Sequence, residues 1–279
     1  MVTDQFARAV KDYLKPYAGL FNYQTLLNGH LDTSRFEPWA QEAGRYRALA
    51  GATVLSSGCG SAGDLQAFLH QGAAIAYGIE VDPGLAHLAR QRFAGTEFEP
   101  VIHVDVYNGL TLPYAYNSFD VVFSVHVIEH TQDPERYLIE VCRVLRPGGI
   151  VFLDVPNRYY KYDQHTMLPY VHWPPTKLRN VILRTLLAKP FVNNLSPTQR
   201  YQLATYINYH IPSPAHLLRV YRSVQAKYDL QLAEAYFHSY TEQRLKFRPY
   251  AAKYLIGQIR KATTFRLIIQ KNGIGSQRS

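Results

Sequence analysis

The sequence predicts an α/β protein built on a doubly wound, nucleotide-binding sheet, and three observations carry that reading. Residues 53–63, TVLSSGCGSAG, run a short apolar strand straight into a glycine-rich turn. A second apolar run, AAIAYGIE, ends in Glu80, twenty positions after Gly60. The order strand, glycine turn, helix, strand, acid is that of a βαβ unit that holds a nucleotide. The glycines let the backbone turn sharply and approach a ligand, and the acid accepts hydrogen bonds from ribose hydroxyls.

The remaining elements follow in order. Residues 1–50 read as a helical, aromatic arm with Tyr13, Tyr17, Phe21 and Tyr23 close together. Packing on the sheet is the preferred role, and covering the ligand pocket the other. A third strand, about FEPVIHVD, ends in Asp105, and Asp120 opens the apolar strand FDVVFS as a structural residue. Asp133 can cap a helix with Pro134 at its first position and Glu135 in its first turn. Tyr137, Leu138, Val141, Val144 and Leu145 then recur at helical spacing and are expected to pack on the sheet. Pro147, Gly148 and Gly149 stop that helix before the strand IVFLDVPN.

Gly58, Gly60 and Gly63 satisfy GxGxxG literally, which alone favours a dinucleotide. The later motifs argue otherwise. The glycine loop, Glu80, Asp105, FDVV and LRPGG, in that order, resemble the class I S-adenosylmethionine-dependent methyltransferases, of the type 11-like kind, over roughly residues 45–157. An NAD dehydrogenase has no use for the last of these. The resemblance implies a seven-stranded Rossmann-like sheet, with strands six and seven (about YDLQLAEAYF and TTFRLIIQK) as an antiparallel hairpin, plus an inserted helical lid. It divides the chain into a helical arm (1–50), a cofactor-binding core (51–155), a substrate lid (156–215) and a C-terminal part that completes the sheet (216–279).

The resemblance also implies roles. Gly58, Cys59, Gly60 and Gly63 form the loop against the methionine part of the cofactor, with Cys59 a small residue that fits rather than a nucleophile. Glu80 takes the ribose hydroxyls. Asp105 takes the adenine amino group, with the Val106 backbone beside the ring. Ser124 and His126 line the pocket near the sulfonium. One position departs: Ser56 stands where the family carries an acid that helps hold the cofactor ammonium, and a hydroxyl supplies no charge.

Charge is split between the halves. Residues 1–156 hold 11 Lys/Arg against 17 Asp/Glu, and residues 157–279 hold 19 against 4, a balance of +15. Such asymmetry points to an anionic partner for the C-terminal part, with a merely solvated basic face as the alternative. The two cysteines, Cys59 and Cys142, form neither a disulfide framework nor a zinc pattern. The first residues, MVTDQFARAVKDYLKPY, lack an apolar core of signal-peptide length. A reducing, cytoplasmic location is expected. The stretch PTKLRNVILRTLLAKP can form a basic amphipathic helix; a lid face is the preferred role, and peripheral contact with an anionic membrane stays open.

Methyl transfer from a sulfonium needs no acid for the leaving group, because a neutral thioether departs. A hydroxyl nucleophile does need a base, and histidine suits that at neutral pH. The candidates are His126, Glu129 and His130 after strand four, and Asp163, His165 and His172 in the insertion, with His165 first and His130 second. The expected activity is methyl transfer to an anionic small molecule, glycan or lipid. RNA methylation is the alternative suggested by interleaved basic and aromatic residues, and a non-catalytic cofactor-binding scaffold the one suggested by Ser56.

Overall fold

The computed structural model describes residues 3–18, 23–161, 211–238, 245–246 and 262–273, with isolated positions between 170 and 181. Most of the expected lid, including Asp163, His165, His172 and the amphipathic stretch, lies outside the described residues.

The core is one sheet. Strands β1 (Thr53–Ser57), β2 (Ile75–Glu80), β3 (Ile102–Val106), β4 (Phe119–Val125) and β5 (Leu145–Pro156) run parallel in the order β3-β2-β1-β4-β5. Strand β8 (Thr264–Lys271) pairs antiparallel with β5, and β6 (Leu230–His238) pairs antiparallel with β8. The expected strands six and seven are therefore β6 and β8, with the later one inserted between β5 and the earlier. A two-residue strand, β7 (Leu245–Lys246), is added at the β6 edge. The seven-stranded methyltransferase-type sheet is present, with this short edge strand as an eighth.

Helices cover both faces because the central strands are apolar on both. On one face α3 (Glu37–Gly44) and α4 (Gly63–His70) bury Ala40, Ala43, Ala67 and Phe68 against Val54, Phe123, Phe152 and Ile268. On the other, α6 (Pro134–Val144) and α7 (Pro214–Gln225) bury Leu138, Val141, Leu217 and Val220 against Leu55, Val122, Val151 and Leu267. Helix α6 begins as its sequence dictates: Asp133 accepts from the Arg136 N–H at 3.0 Å, and Pro134 follows. It ends at Val144 and β5 begins at once at Leu145, so Pro147, Gly148 and Gly149 lie within the strand, where a Cβ on Gly149 would meet the Asp120 carbonyl at 2.7 Å.

Asp120 is structural, as read. It accepts from Arg47 and Arg146 at 2.8 and 2.9 Å and from the Thr53 N–H at 2.9 Å, which ties the lower ends of β1, β4 and β5. The N-terminal arm differs in part from the expectation. Helices α1 (Asp4–Leu14) and α2 (Tyr23–Leu31) pack through Phe6, Val10, Leu14 and Leu27 onto Leu88 of α5 (Pro83–Phe93), not onto the sheet. Within the arm, α3 packs on the strands as expected. Among the described residues no helix is long and apolar enough to cross a membrane.

Arg266 on β8 is the largest side chain in the fully buried interior among the described residues, 1% exposed. Its Nε donates to Asp154 of β5 at 2.6 Å, its Nη1 bonds Glu42 of α3, and its guanidinium lies over the Phe152 ring. Breaking a buried pair by removing one partner strands the other charge. Arg266→Ala is expected to lower unfolding stability by about 3–5 kcal/mol. Arg146→Ala, which removes a half-exposed partner of Asp120, is expected to cost less than about 1 kcal/mol. Urea titration of the two variants checks the contrast.

Candidate functional site

The glycine loop sits at the carboxyl ends of β1 and β4, where open α/β sheets take ligands. Two of its glycines are required by backbone geometry. Gly58 has φ +74°, and a Cβ there would lie 2.5 Å from a Val127 methyl; Gly60 has φ +54°, with open space beside it. The Gly58 and Cys59 N–H groups donate to the Ile79 carbonyl at 2.8 and 3.1 Å, which pins the loop to β2. Ala62 takes a left-handed conformation (φ 58°) just before α4, without a glycine. Gly63 has ordinary dihedrals and is small for packing, since its Cβ would meet Phe36 at 2.9 Å.

Cys59 is buried against Gly78, where a Cβ would approach its Sγ to 2.7 Å. Burial, with Asp64 and Glu80 nearby, pushes the thiol well above its ordinary range. It is packing material and a poor nucleophile. Burial likewise pushes the Cys142 thiol up to about 12.

Glu80 is buried at the end of β2 and is the hub of the loop. Its Oε2 accepts from the Gly60 N–H at 2.9 Å, and its Oε1 accepts from Val81 and Asp82 N–H at 2.7 and 3.2 Å. A carboxylate has about four acceptor directions, so about one is left for a ligand hydroxyl. Asp105 is exposed, near the end of β3, and accepts from the Tyr114 hydroxyl at 3.0 Å. Val106 beside it is exposed.

Ser56 is where the sequence lacks a charge, and the fold brings one to it. The Ser56 hydroxyl donates to Asp64 Oδ2, and Asp64 Oδ1 accepts from the Leu65 N–H at 3.0 Å. Asp64 lies in the first turn of α4, 5% exposed, where the helix N-terminus favours an anion. Burial pushes its carboxyl up to about 6 against the pull of those hydrogen bonds and of Arg92. The sequence reading missed Asp64. Its signal was an acid immediately after the last loop glycine, indistinguishable there from an ordinary first-turn residue.

The arm reaches the same loop. His30 Nδ1 lies 2.9 Å from the Ser61 hydroxyl, Arg92 Nε donates to the Ser61 carbonyl at 2.6 Å, and Arg92 also bonds the His30 carbonyl. Burial and the neighbouring Arg92 and Arg35 lower His30 to about 4, so it stays neutral beside the guanidinium. Tyr13 donates to Asp82, the N-cap of α5, at 3.0 Å.

The turn after β4 holds the rest. Ser124 is fully buried and 2.7 Å from the Tyr137 hydroxyl, beneath the site rather than lining it. His126 has φ +56° and a quarter-exposed side chain, with Nε2 3.7 Å from Asp154 Oδ1. Glu129 is completely buried, and neither carboxyl oxygen has a well-formed hydrogen bond. Burial pushes it up to about 8, so it is mostly protonated at neutral pH. His130 is about a third exposed, with Nε2 3.9 Å from Glu129 Oε1. Among the described residues no cluster of His, Cys, Asp and Glu could hold a metal ion. A surface cavity of about 470 Å³ lies by Thr53, Ile75, Phe119 and Arg146, the amino ends of their strands, with Tyr114, the partner of Asp105, also on its wall.

Residues 55–153 match the protein-family model described as a methyltransferase domain. The methyltransferase GfsG of Streptomyces halstedii is 30% identical over 158 residues, 52% of this chain and 57% of that protein. An uncharacterized methyltransferase of Mycobacteroides abscessus is 38% identical over 129 residues, 46% of this chain and 48% of that one. The chain spans about half the length of the curated relatives it matches. Among solved structures, an S-adenosylmethionine-dependent methyltransferase from Mesorhizobium loti superposes with TM-score 0.54 at 16% identity, over 84% of this chain and 96% of that one.

Asp64 gives a pH signature that belongs to the apo protein. Its folded value of about 6 lies above its ordinary 3.8. The ionised carboxyl therefore opposes folding above pH 6, and the opposition vanishes below about pH 4. Relative to Asp64→Asn, the native protein is expected to lose about 2 kcal/mol of stability as pH rises from 4 to 7. Urea midpoints of both proteins across that range check it; parallel curves would remove the buried charge.

Proposed function

We propose that this chain, which belongs to the class I S-adenosylmethionine-dependent methyltransferases, transfers the methyl group to an anionic small-molecule, glycan or lipid acceptor. The observation that carries the cofactor part is the convergence of Gly60, Glu80 and the Ser56–Asp64 pair on one loop. Space beside Gly60 leaves room for a ligand against the backbone. Glu80 would take the ribose, Asp105 and the Val106 backbone the adenine, and the loop residues Gly58 to Gly63 the methionine part. Among the described residues Asp64 forms no ion pair, and a ligand ammonium is the kind of partner a buried carboxylate lacks. These residues fit the cofactor.

S-adenosylmethionine supplies an electrophilic methyl carbon on a sulfonium. The chain's own tasks are to align the nucleophile behind that carbon and to exclude water. The +15 balance of residues 157–279 supports an anionic acceptor. His126 would stand near the sulfonium. His130 is a base candidate at the strand ends, and His165, the first candidate from the sequence, lies outside the described residues. The scaffold reading rested on Ser56 alone, and Asp64 beside it removes that ground. RNA methylation keeps the support of the basic, aromatic C-terminal composition.

Calorimetry is expected to give micromolar affinity for S-adenosylmethionine and its demethylated product, about −8 kcal/mol, with Glu80→Ala weaker by about 1–3 kcal/mol. Unchanged affinity in that variant, or preference for NAD, would defeat the assignment. Asp64 makes the test sharper. A cationic group beside it lowers its pKa, so binding near pH 6 is expected to release protons. Titration in two buffers of different ionisation enthalpy reads that release, and Asp64→Asn should abolish it. Acceptor affinity should fall as salt rises, because exposed charge attraction is screened over about 10 Å at 0.1 M. Salt-sensitive binding of generic RNA would favour the RNA reading instead.

A further inference from the structure

We propose that His126, oriented by Asp154, is the group that accepts the proton of a hydroxyl acceptor. This rests on the methyltransferase reading above and gives His126 a role beyond lining the pocket. Asp154 acts through the histidine and is a positioning residue.

The backbone is the first support. His126 adopts φ +56°, in the left-handed region, which histidine enters more readily than most residues but still uncommonly. Such strain persists only where the surroundings fix it, and it concentrates at functional sites. Here its N–H donates to the Asp154 carbonyl at 2.9 Å, and the next residue, Val127, is pressed onto the glycine loop at Gly58. His126 thus stands one residue from the contact with the cofactor cradle, at the carboxyl ends of the two central strands β4 and β5.

The carboxylate behind it is the second support. Asp154 Oδ2 accepts from Arg266 Nε at 2.6 Å and lies 3.4 Å from the Thr264 hydroxyl. Its Oδ1 has no hydrogen bond and lies 3.7 Å from His126 Nε2. Because Oδ2 is pinned from β8, the carboxylate cannot swivel, and Oδ1 stays aimed at the imidazole. A spacing slightly beyond hydrogen-bond length is common in catalytic pairs before the ligand closes them. With the Nε2 proton turned to Asp154, the Nδ1 lone pair faces away from the carboxylate.

The charges around the pair explain why this histidine, and not His130, is suited to the task. Burial pushes Asp154 upward, but Arg266 and Thr264 pull the other way. The net direction is upward, and the Arg266 guanidinium at Oδ2 is the neighbour that most favours the charged carboxylate. Arg266 is itself balanced by Glu42, so its charge does not cancel Asp154 outright. His238 on β6 also faces Asp154. His130 has Glu129 beside it instead, a carboxyl that burial keeps largely neutral. Among the described residues Glu129 has no guanidinium to favour its charged form, and Asp154 has Arg266.

In the step itself the acceptor oxygen forms its bond to the methyl carbon while its proton passes to Nδ1. The carbon–sulfur bond breaks, and its electron pair stays on sulfur. The positive charge that leaves the sulfonium ends on the His126 imidazolium, beside Asp154, and is lost to water on product release.

The test uses the full chain, with S-adenosylhomocysteine as the probe. The ring-proton NMR signal of His126, assigned by its loss in His126→Gln, is expected to move when the probe is added. Its titration midpoint is expected to fall in Asp154→Asn, because the negative neighbour is gone. In a panel of hydroxyl-bearing acceptors, read as S-adenosylhomocysteine formed, His126→Gln should turn over about a hundredfold or more slowly, with affinity for the probe within twofold of native. If the probe binds but the His126 signal does not move, or its midpoint is unchanged in Asp154→Asn, or the variant turns over at the native rate, the assignment of His126 falls and the methyltransferase reading stands. If the probe does not bind at all, the reading itself fails. The ligand response needs only the native protein and His126→Gln, so it decides the matter even where Asp154→Asn does not fold.

Discussion

Arg266 brings a full positive charge into the interior of the sheet, and the surrounding elements are arranged to neutralise it. Asp154 comes from the neighbouring strand β5, Glu42 from the helix above, and Tyr236 from β6, while Phe152 offers a ring face. Such a cluster is a poor source of net stability, since taking the ions out of water costs about as much as their attraction returns. Its value is in geometry. Each member has few arrangements that satisfy its neighbours, so α3, β5, β6 and β8 are locked in register. The same constraint fixes the carboxylate on which His126 depends. One buried guanidinium thus links the antiparallel half of the sheet to the chemistry at its carboxyl edge.

The elements legible in the sequence are those that local chemistry decides. The apolar runs of β1, β2, β4 and β5 are short and bounded by turn residues. The α6 start is written in Asp133 and Pro134, and the loop in Gly58 and Gly60, which only glycine fits well. What the sequence hid depends on distance along the chain. Glu42 and Arg266 are separated by 224 positions, and Asp154 and Arg266 by 112. No spacing rule pairs residues that far apart. Ser124 shows the reverse failure: the family resemblance implied a pocket wall, but Ser124 lies within β4, and the alternation of the strand turns it inward onto Tyr137.

The Ser56–Asp64 pair shows how a local departure is absorbed. A strand-end acid reaches its ligand from below the loop. Asp64 brings a carboxylate to Ser56 from the first turn of α4, eight residues on, at the positive end of the helix. Ser56 then serves as a donor to that carboxylate rather than as a weak copy of one. Above it, the arm fixes the other side of the loop through Ser61, which His30 and Arg92 hold together. His30 stays neutral there, which avoids a second positive charge against the guanidinium. The loop is therefore held on three sides: by β2 through Ile79 and Glu80, by α4 through Asp64, and by the arm through Ser61.

A fourth contact gives that restraint its consequence. The Val127 methyls occupy the space where any side chain at position 58 would begin, so the glycine loop and the turn after β4 cannot shift independently. Packed interiors transmit such displacements because they leave no room to absorb them. His126 immediately precedes Val127 and is held from the other side by the Asp154 carbonyl. A ligand that settles against Gly58 and Gly60 therefore presses on the same turn that aims the imidazole. The gap between His126 Nε2 and Asp154 Oδ1 at the end of that chain of contacts is 3.7 Å. Closing it by less than an ångström makes an ion-pair distance into a hydrogen bond. Cofactor binding and the orientation of the base are thus two readings of one packing constraint.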